Sequence, residues 1–275
     1  MQEHFYEDMR GITAQALAAV RPEAAVRKAL AAHSFAPGRI RLVAIGKAAW
    51  QMAEAAVGVL GSRIEKGIVI TKYGHSAGPL PGLLCREAAH PVPDQAGFAA
   101  TREALELVSG LGAEDTVLFL LSGGASALFE QPLVKPEELQ SVTGALLACG
   151  CDIAQINTIR KRLSGVKGGR FALRCAPAQV FTVALSDVVG DAVDMIASGP
   201  TCPDSSTCAQ ALEIAEKYAL PLSARGRELL REETPKALPN STVQVTGSVR
   251  QLCAAAAKAA ADRGYRPIIL TDCLT

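Results

Sequence analysis

Five short segments carry residue types that could hold an anion: Gly46-Lys47-Ala48-Ala49, TKYGH (71–75), HPVPD (90–94), SGGAS (122–126) and SDVVGD (186–191). The fourth lies inside FLLSGGASALFE, Phe119 to Glu130, where an apolar run meets Ser122, Gly123, Gly124, Ala125 and Ser126. Helix-forming Ala127 and Leu128 follow at once. Three readings compete: a tight structural turn, an esterase-like nucleophile and a cradle for phosphate. A nucleophile elbow reads GxSxG, but Gly124-Ala125-Ser126-Ala127-Leu128 lacks the last glycine, and no histidine follows His90. Two adjacent glycines at a helix start expose consecutive N–H groups, to which the serine hydroxyls add donors. Such a turn suits phosphate or carboxylate oxygens; a plain strand-to-helix turn stays open.

Lys47 follows a predicted strand and opens a predicted helix, where the positive end of the helix favours a multiply charged anion. It is not a Walker-type P-loop lysine, because Arg41 and Ala48 occupy the positions that would need glycine and serine or threonine. NTIRKRLSGVKGGRFA gathers Arg160, Lys161, Arg162, Lys167 and Arg170. On a helix Asn157, Arg160, Lys161 and Ser164 share one face, which is either a solvated basic face or an anion pocket. In SDVVGDAVDMIASGPT, Asp187 directly follows a predicted strand, a natural place for a magnesium ligand or a base; Asp191 and Asp194 come soon after. Asp194 reads equally well as a surface acid.

Apolar strand-sized runs alternate with helical patterns. Two helices separated by Arg21-Pro22 lead into strands at 39–45, 67–71, 85–89, 116–121 and 179–185, with helices near 48–60, 94–109, 136–149, 152–164, 208–218 and 224–232. Asp94 reads as a helix N-cap. The alternation predicts an α/β fold: a three-layer, Rossmann-like, mainly parallel sheet with helices on both faces. Ligands of such sheets sit beyond the carboxyl ends of the strands, which is where all five segments fall. Glu233–Asn240 carries two prolines and reads as a linker. Residues 1–235 are therefore expected to form the first domain. Residues 236–275 are expected to be the first βαβ unit of a second, incomplete α/β domain, with strands at 242–245 and 267–270 and a helix at 249–261. The chain is expected to stop inside that unit.

A net charge of +1, with no long run of either sign, argues against nucleic acid as an obligatory partner. No apolar run approaches the roughly 20 residues of a membrane span, and the N-terminus lacks a signal-peptide core. Eight cysteines without CxxC read as free thiols of a cytoplasmic protein, and four histidines without an HxxxH pair make zinc improbable.

Six blocks in order, GKAAWQMAEAA, TKYGH, HPVPD, LSGGASAL, NTIRKRLSGVKGG and SDVVGDAVDMIASGPTCPD, resemble the glycerate 2-kinase family of two-domain, MOFRL-associated kinases. The segment from Gly247 to Asp272 looks like the start of that family's second domain; a GGRN-type motif is absent from the sequence, and Arg162 stands where the family would have histidine. The resemblance implies phosphorylation of D-glycerate to 2-phosphoglycerate with ATP and Mg²⁺ in an interdomain cleft, and it admits a homodimer. Phosphoryl transfer needs positioning and charge neutralisation more than covalent chemistry, and in such a reaction Lys47 is expected to stabilise the transferring phosphoryl group. Ser122, Gly123, Gly124 and Ser126 would wrap phosphate or substrate oxygens, Lys167 would contact ATP, and Asn157, Arg160 and Lys161 would bind the glycerate carboxylate or a phosphate. Asp187 and Asp191 would hold Mg²⁺, one of them orienting the substrate hydroxyl. Members are also labelled hydroxypyruvate reductases, a reading disfavoured by the lack of GxGxxG. A non-catalytic sugar-acid-binding module is the other alternative.

Overall fold

The computed structural model describes residues 2–186 and 192–272. Helices α1 (Gln2–Ala19) and α2 (Pro22–Ala32) come first. Pro22 sits at the start of α2, where its missing N–H costs nothing. Then follow β1 (Ile40–Ile45), α3 (Ala49–Leu60), β2 (Ile64–Lys72), β3 (Leu83–Ala88), α4 (Gln95–Leu107), β4 (Thr116–Leu121) and the short α5 (Ala125–Leu128). Next come α6 (Pro136–Ala148), α7 (Ile153–Arg162), α8 (Arg170–Cys175), β5 (Gln179–Leu185), α9 (Cys208–Lys217), α10 (Ala224–Leu229), β6 (Ser241–Thr246) and α11 (Val249–Ala261). Asp94 caps α4 by accepting from the Gly97 N–H. Helix α8 was not anticipated: it is short and opens on Gly168-Gly169, which reads as loop.

The strands form one parallel sheet in the order β3-β2-β1-β4-β5-β6. Every residue of β1 and β4 is buried, as continuous apolar strands covered by helices on both faces must be. Alternate side chains feed two cores. Val43, Ile45, Ile68, Ile70, Val117 and Phe119 pack towards α4 and α8, while Leu42, Ala44, Val69, Leu118 and Leu120 pack towards α2 and α3. A third apolar cluster joins α6, α7, α9 and α10. Asp115 ties the starts of β1 and β4 together, accepting from the Arg39 N–H at 2.8 Å and pairing with its guanidinium.

The unit expected from residue 236 onward begins with a strand that joins this same sheet: β6 pairs in parallel with β5 from Val180↔Ser241 to Leu185↔Thr246. The end of the described chain also folds back on α1. The Tyr265 hydroxyl donates to Asp8 at 2.7 Å and Arg263 donates to Gln15 at 3.2 Å. Residues 267–270, predicted as a strand, carry no strand pairing, and Leu270 is 92% exposed. An extended apolar segment becomes a strand only when a neighbour supplies the ladder of hydrogen bonds. Among the described residues all seven cysteines are free thiols, and no helix is long and apolar enough to cross a membrane.

Candidate active site

In an open parallel sheet a crevice forms where the strand order reverses. Here that point lies between β1 and β4, since β2 and β3 continue to one side and β5 and β6 to the other. The Gly46-Lys47 and Ser122-Gly123-Gly124 turns stand at the carboxyl ends of these two strands.

The two turns are laced together. The Lys47 N–H donates to Gly123 O at 2.9 Å, and the Ala48 N–H donates to Ser122 Oγ at 3.1 Å. Ser122 Oγ in turn donates to Ile45 O at 3.3 Å and is buried. The Ser122 hydroxyl, expected at a ligand, is here bonded inside the protein. Gly46 has φ +120°, and a Cβ there would lie 2.3 Å from Ser122 Oγ and 2.5 Å from Ser122 O. Gly46→Ala is therefore expected to force the turns apart and to cost roughly 2 kcal/mol or more, measured by urea denaturation.

Above this seam the Lys47 side chain is exposed and has no ion-pair partner among the described residues. The N–H groups of Gly123 and Gly124 are likewise without a partner there. A Cβ on Gly124 (φ +87°) would lie 3.2 Å from Lys47 Cε and 3.2 Å from His90 Nε2. Glycine thus lets the ammonium arm and the imidazole close over the turn. His75 Nδ1 lies 3.1 Å from Lys47 O. Burial pushes the His90 pKa below its ordinary value, and the charges of Lys47 and Lys72 push it the same way. Removing one of those charges should show it: in Lys47→Met the titration midpoint of His90 is expected to rise, read by NMR of the imidazole nitrogens. An unchanged midpoint would place the ammonium away from the ring.

Behind the turn, two cations grip the far end of α5. Arg160 donates to Ser126 O at 3.1 Å. Lys167 donates to Ser126 O and to Phe129 O, both at 2.9 Å, and pairs with Glu130 at 3.2 Å. Lys167 and Glu130 are completely buried. Burial lowers the Lys167 pKa to about 8, against the opposing pull of Glu130. Burial also lowers that of Arg160, again opposed by Glu130. Lys161 is 1% exposed and bonds Asp194 at 3.2 Å and Asp204 at 3.0 Å. Hydrogen bonds from Thr234 and Lys161 hold the Asp204 carboxyl at about 2, outweighing burial, which alone would raise it. Lys161 and Lys167, expected at the substrate and the nucleotide, both have their ammonium groups on protein oxygens in this structure. The charges read along α7 belong largely to internal pairs.

Asn157 is buried, with Oδ1 accepting from Ser198 Oγ at 2.7 Å. Ser126 Oγ stands 3.3 Å from Ser198 Oγ. The structure therefore brings Lys47, Gly123, Gly124 and Ser126 to one rim, with Asn157 and Arg160 close behind Ser126. Asp187 and Asp191 lie outside the described residues. Ser198 and Glu130 have no role in the sequence reading, and His90 enters it only as the first residue of HPVPD. His90 ends the strand-to-HPVPD segment and was detectable there; Glu130 is a lone acid in an apolar stretch; Ser198 had no distinctive signal.

Residues 8–231 match the family described as a domain of unknown function, DUF4147. A D-glycerate 2-kinase from Thermotoga maritima is 49% identical over 96% of this chain and 63% of its own length. A relative from Agrobacterium vitis, carrying the provisional name of a hydroxypyruvate reductase, is 41% identical over 86% of this chain and 55% of its own. The crystal structure of glycerate kinase from Thermotoga maritima superposes with a TM-score of 0.93 at 47% identity, covering 98% of this chain and 65% of that one. The chain thus spans less than two thirds of the length of these relatives.

Proposed function

The chain belongs to the glycerate 2-kinase family, and on that footing we propose that it supplies the phosphoryl-transfer half of an ATP-dependent kinase that converts D-glycerate to 2-phosphoglycerate. The observation that carries this reading is the Lys47 ammonium beside the Gly123 and Gly124 N–H groups at the sheet's switch point, all without a partner among the described residues. Phosphoryl transfer asks chiefly for positioning and for neutralisation of charge on the transferred group. In the proposed reaction Lys47 lies against the transferring phosphoryl oxygens, and the Gly123 and Gly124 N–H groups hold phosphate from the other side. His90, kept towards its neutral form, lends a donor without adding a charge that must be desolvated. Arg160 and Lys167 brace α5 from behind, so the turn is set before ligand arrives. Ser126 faces the hydroxy acid, with the buried Asn157 behind it.

Among the described residues no group of three or more His, Cys, Asp or Glu side chains is placed to hold a metal. Mg²⁺ would be held by Asp187 and Asp191, and it would supply charge neutralisation. The test is a coupled assay on the full-length polypeptide with D-glycerate, ATP and Mg²⁺, with phosphorus NMR identifying the product. ADP release matched by 2-phosphoglycerate is expected. NADH oxidation with hydroxypyruvate, without ADP release in the kinase assay, would favour a reductase. Glycerate binding without transfer would favour a non-catalytic binding module.

A further inference from the structure

Three successive residues, Ala197, Ser198 and Gly199, have positive φ of 53°, 62° and 62°. Only the last is glycine. The left-handed region costs an L-residue roughly 1 kcal/mol or more and persists where the surroundings over-determine it. The surroundings here are explicit. Ser198 O accepts from the Gly168 N–H at 3.0 Å, and Gly199 O accepts from the Gly169 N–H at 2.7 Å. The turn is thereby clamped to the loop that opens α8. Glycine or asparagine would sit more comfortably at position 198. What serine adds is a hydroxyl, 1% exposed, standing between Asn157 and Ser126.

A hydroxyl has one proton. At 2.7 Å the Ser198 proton goes to Asn157 Oδ1. The 3.3 Å contact with Ser126 can then be made only by the Ser126 proton donating to Ser198 Oγ. The chain therefore runs Ser126 to Ser198 to Asn157, with its protons directed inward. Half-buried Ser126 is left with oxygen lone pairs on its open side. That is the wrong polarity for a phosphate oxygen and the right one for an alcohol.

We propose that Ser198 is a positioning residue that, by taking the Ser126 proton and giving its own to Asn157, makes Ser126 an acceptor for a hydroxyl of the bound hydroxy acid. Ser126 then belongs to the acceptor substrate rather than to ATP. The inference rests on the kinase reading above and assigns this side of the same site to the polyhydroxy substrate.

The test uses the full-length enzyme and two analogues as competitive inhibitors, D-lactate and 3-hydroxypropionate, each lacking one hydroxyl of D-glycerate. In the wild type at least one analogue is expected to bind about tenfold or more weakly than D-glycerate. In Ser198→Gly the backbone strain is relieved, so the melting temperature should hold. The KM for D-glycerate should rise about tenfold with the KM for ATP unchanged, and the penalty against the deoxy analogue should shrink below about threefold. Ser126→Ala, at a partly exposed position, should show the same loss of discrimination should Ser198→Gly fold poorly. An undiminished penalty in either folded variant, or no penalty in the wild type, would overturn the proposal while leaving the kinase reading standing. A wild type that phosphorylates no glycerate would overturn both.

Discussion

Lys47→Ala lowers kcat of the full-length enzyme by about two to three orders of magnitude and leaves its melting temperature essentially where it was. The two halves of this expectation have separate causes. Lys47 fixes the turn through its backbone, donating to Gly123 O, and that bond survives the substitution. Its ammonium is exposed and unpaired among the described residues, so removing it leaves no buried charge uncompensated. What disappears is a positive charge aimed at the place where the transferred group would sit. Lys47→Arg should recover only part of the rate, because a planar guanidinium cannot stand over Gly124 beside His90 as a single-point ammonium does. Steady-state kinetics with a thermal melt on the same preparations check both halves.

Lys167→Met has the opposite profile: a large loss of stability, about 3–5 kcal/mol. The side chain is wholly buried, and its ammonium donates to Ser126 O and Phe129 O and forms an ion pair with Glu130. Methionine fills a similar volume but leaves the Glu130 carboxylate, which is also wholly buried, with Arg160 alone for charge compensation among the described residues. That loss is a large fraction of the 5–15 kcal/mol that typically holds a domain together. Adding Glu130→Gln should restore a substantial part of it, since the uncompensated charge is then gone. Urea denaturation of the two single variants and the double variant gives the coupling directly. A Lys167→Met protein with unchanged stability would mean that the pair carries no structural weight.

How far the sequence reveals this arrangement depends on how local each signal is. The turns after β1 and β4 are local: a strand pattern stops, glycine and serine or lysine follow, and a helix begins. Their position in the sheet is not local. The alternation of apolar runs indicates a parallel sheet, yet nothing in Ile40–Ile45 or Thr116–Leu121 says that these two strands are neighbours. Their pairing from Ile40↔Thr116 to Ile45↔Leu121 is what brings Lys47 and Gly124 together. The same limit explains β6. Ser241–Thr246 reads as a strand, but its partner β5 is chosen by an open sheet edge far back in the chain. Charge is legible and its use is not. Arg160, Lys161 and Lys167 look alike in the sequence, while Asp204 and Glu130, which neutralise the two lysines, lie in other segments. Ser198 shows the hardest case: its role depends on a positive φ and on two distant side chains, none of which leaves a mark in the local residue pattern.

The most direct test is a crystal structure of the full-length protein with a non-hydrolysable ATP analogue and D-glycerate. The terminal phosphate should lie within hydrogen-bond distance of Lys47 Nζ and of the Gly123 and Gly124 N–H groups. A triphosphate seated away from the seam between β1 and β4, with Lys47 still pointing into solvent, would contradict the assignment of this crevice as the site of transfer.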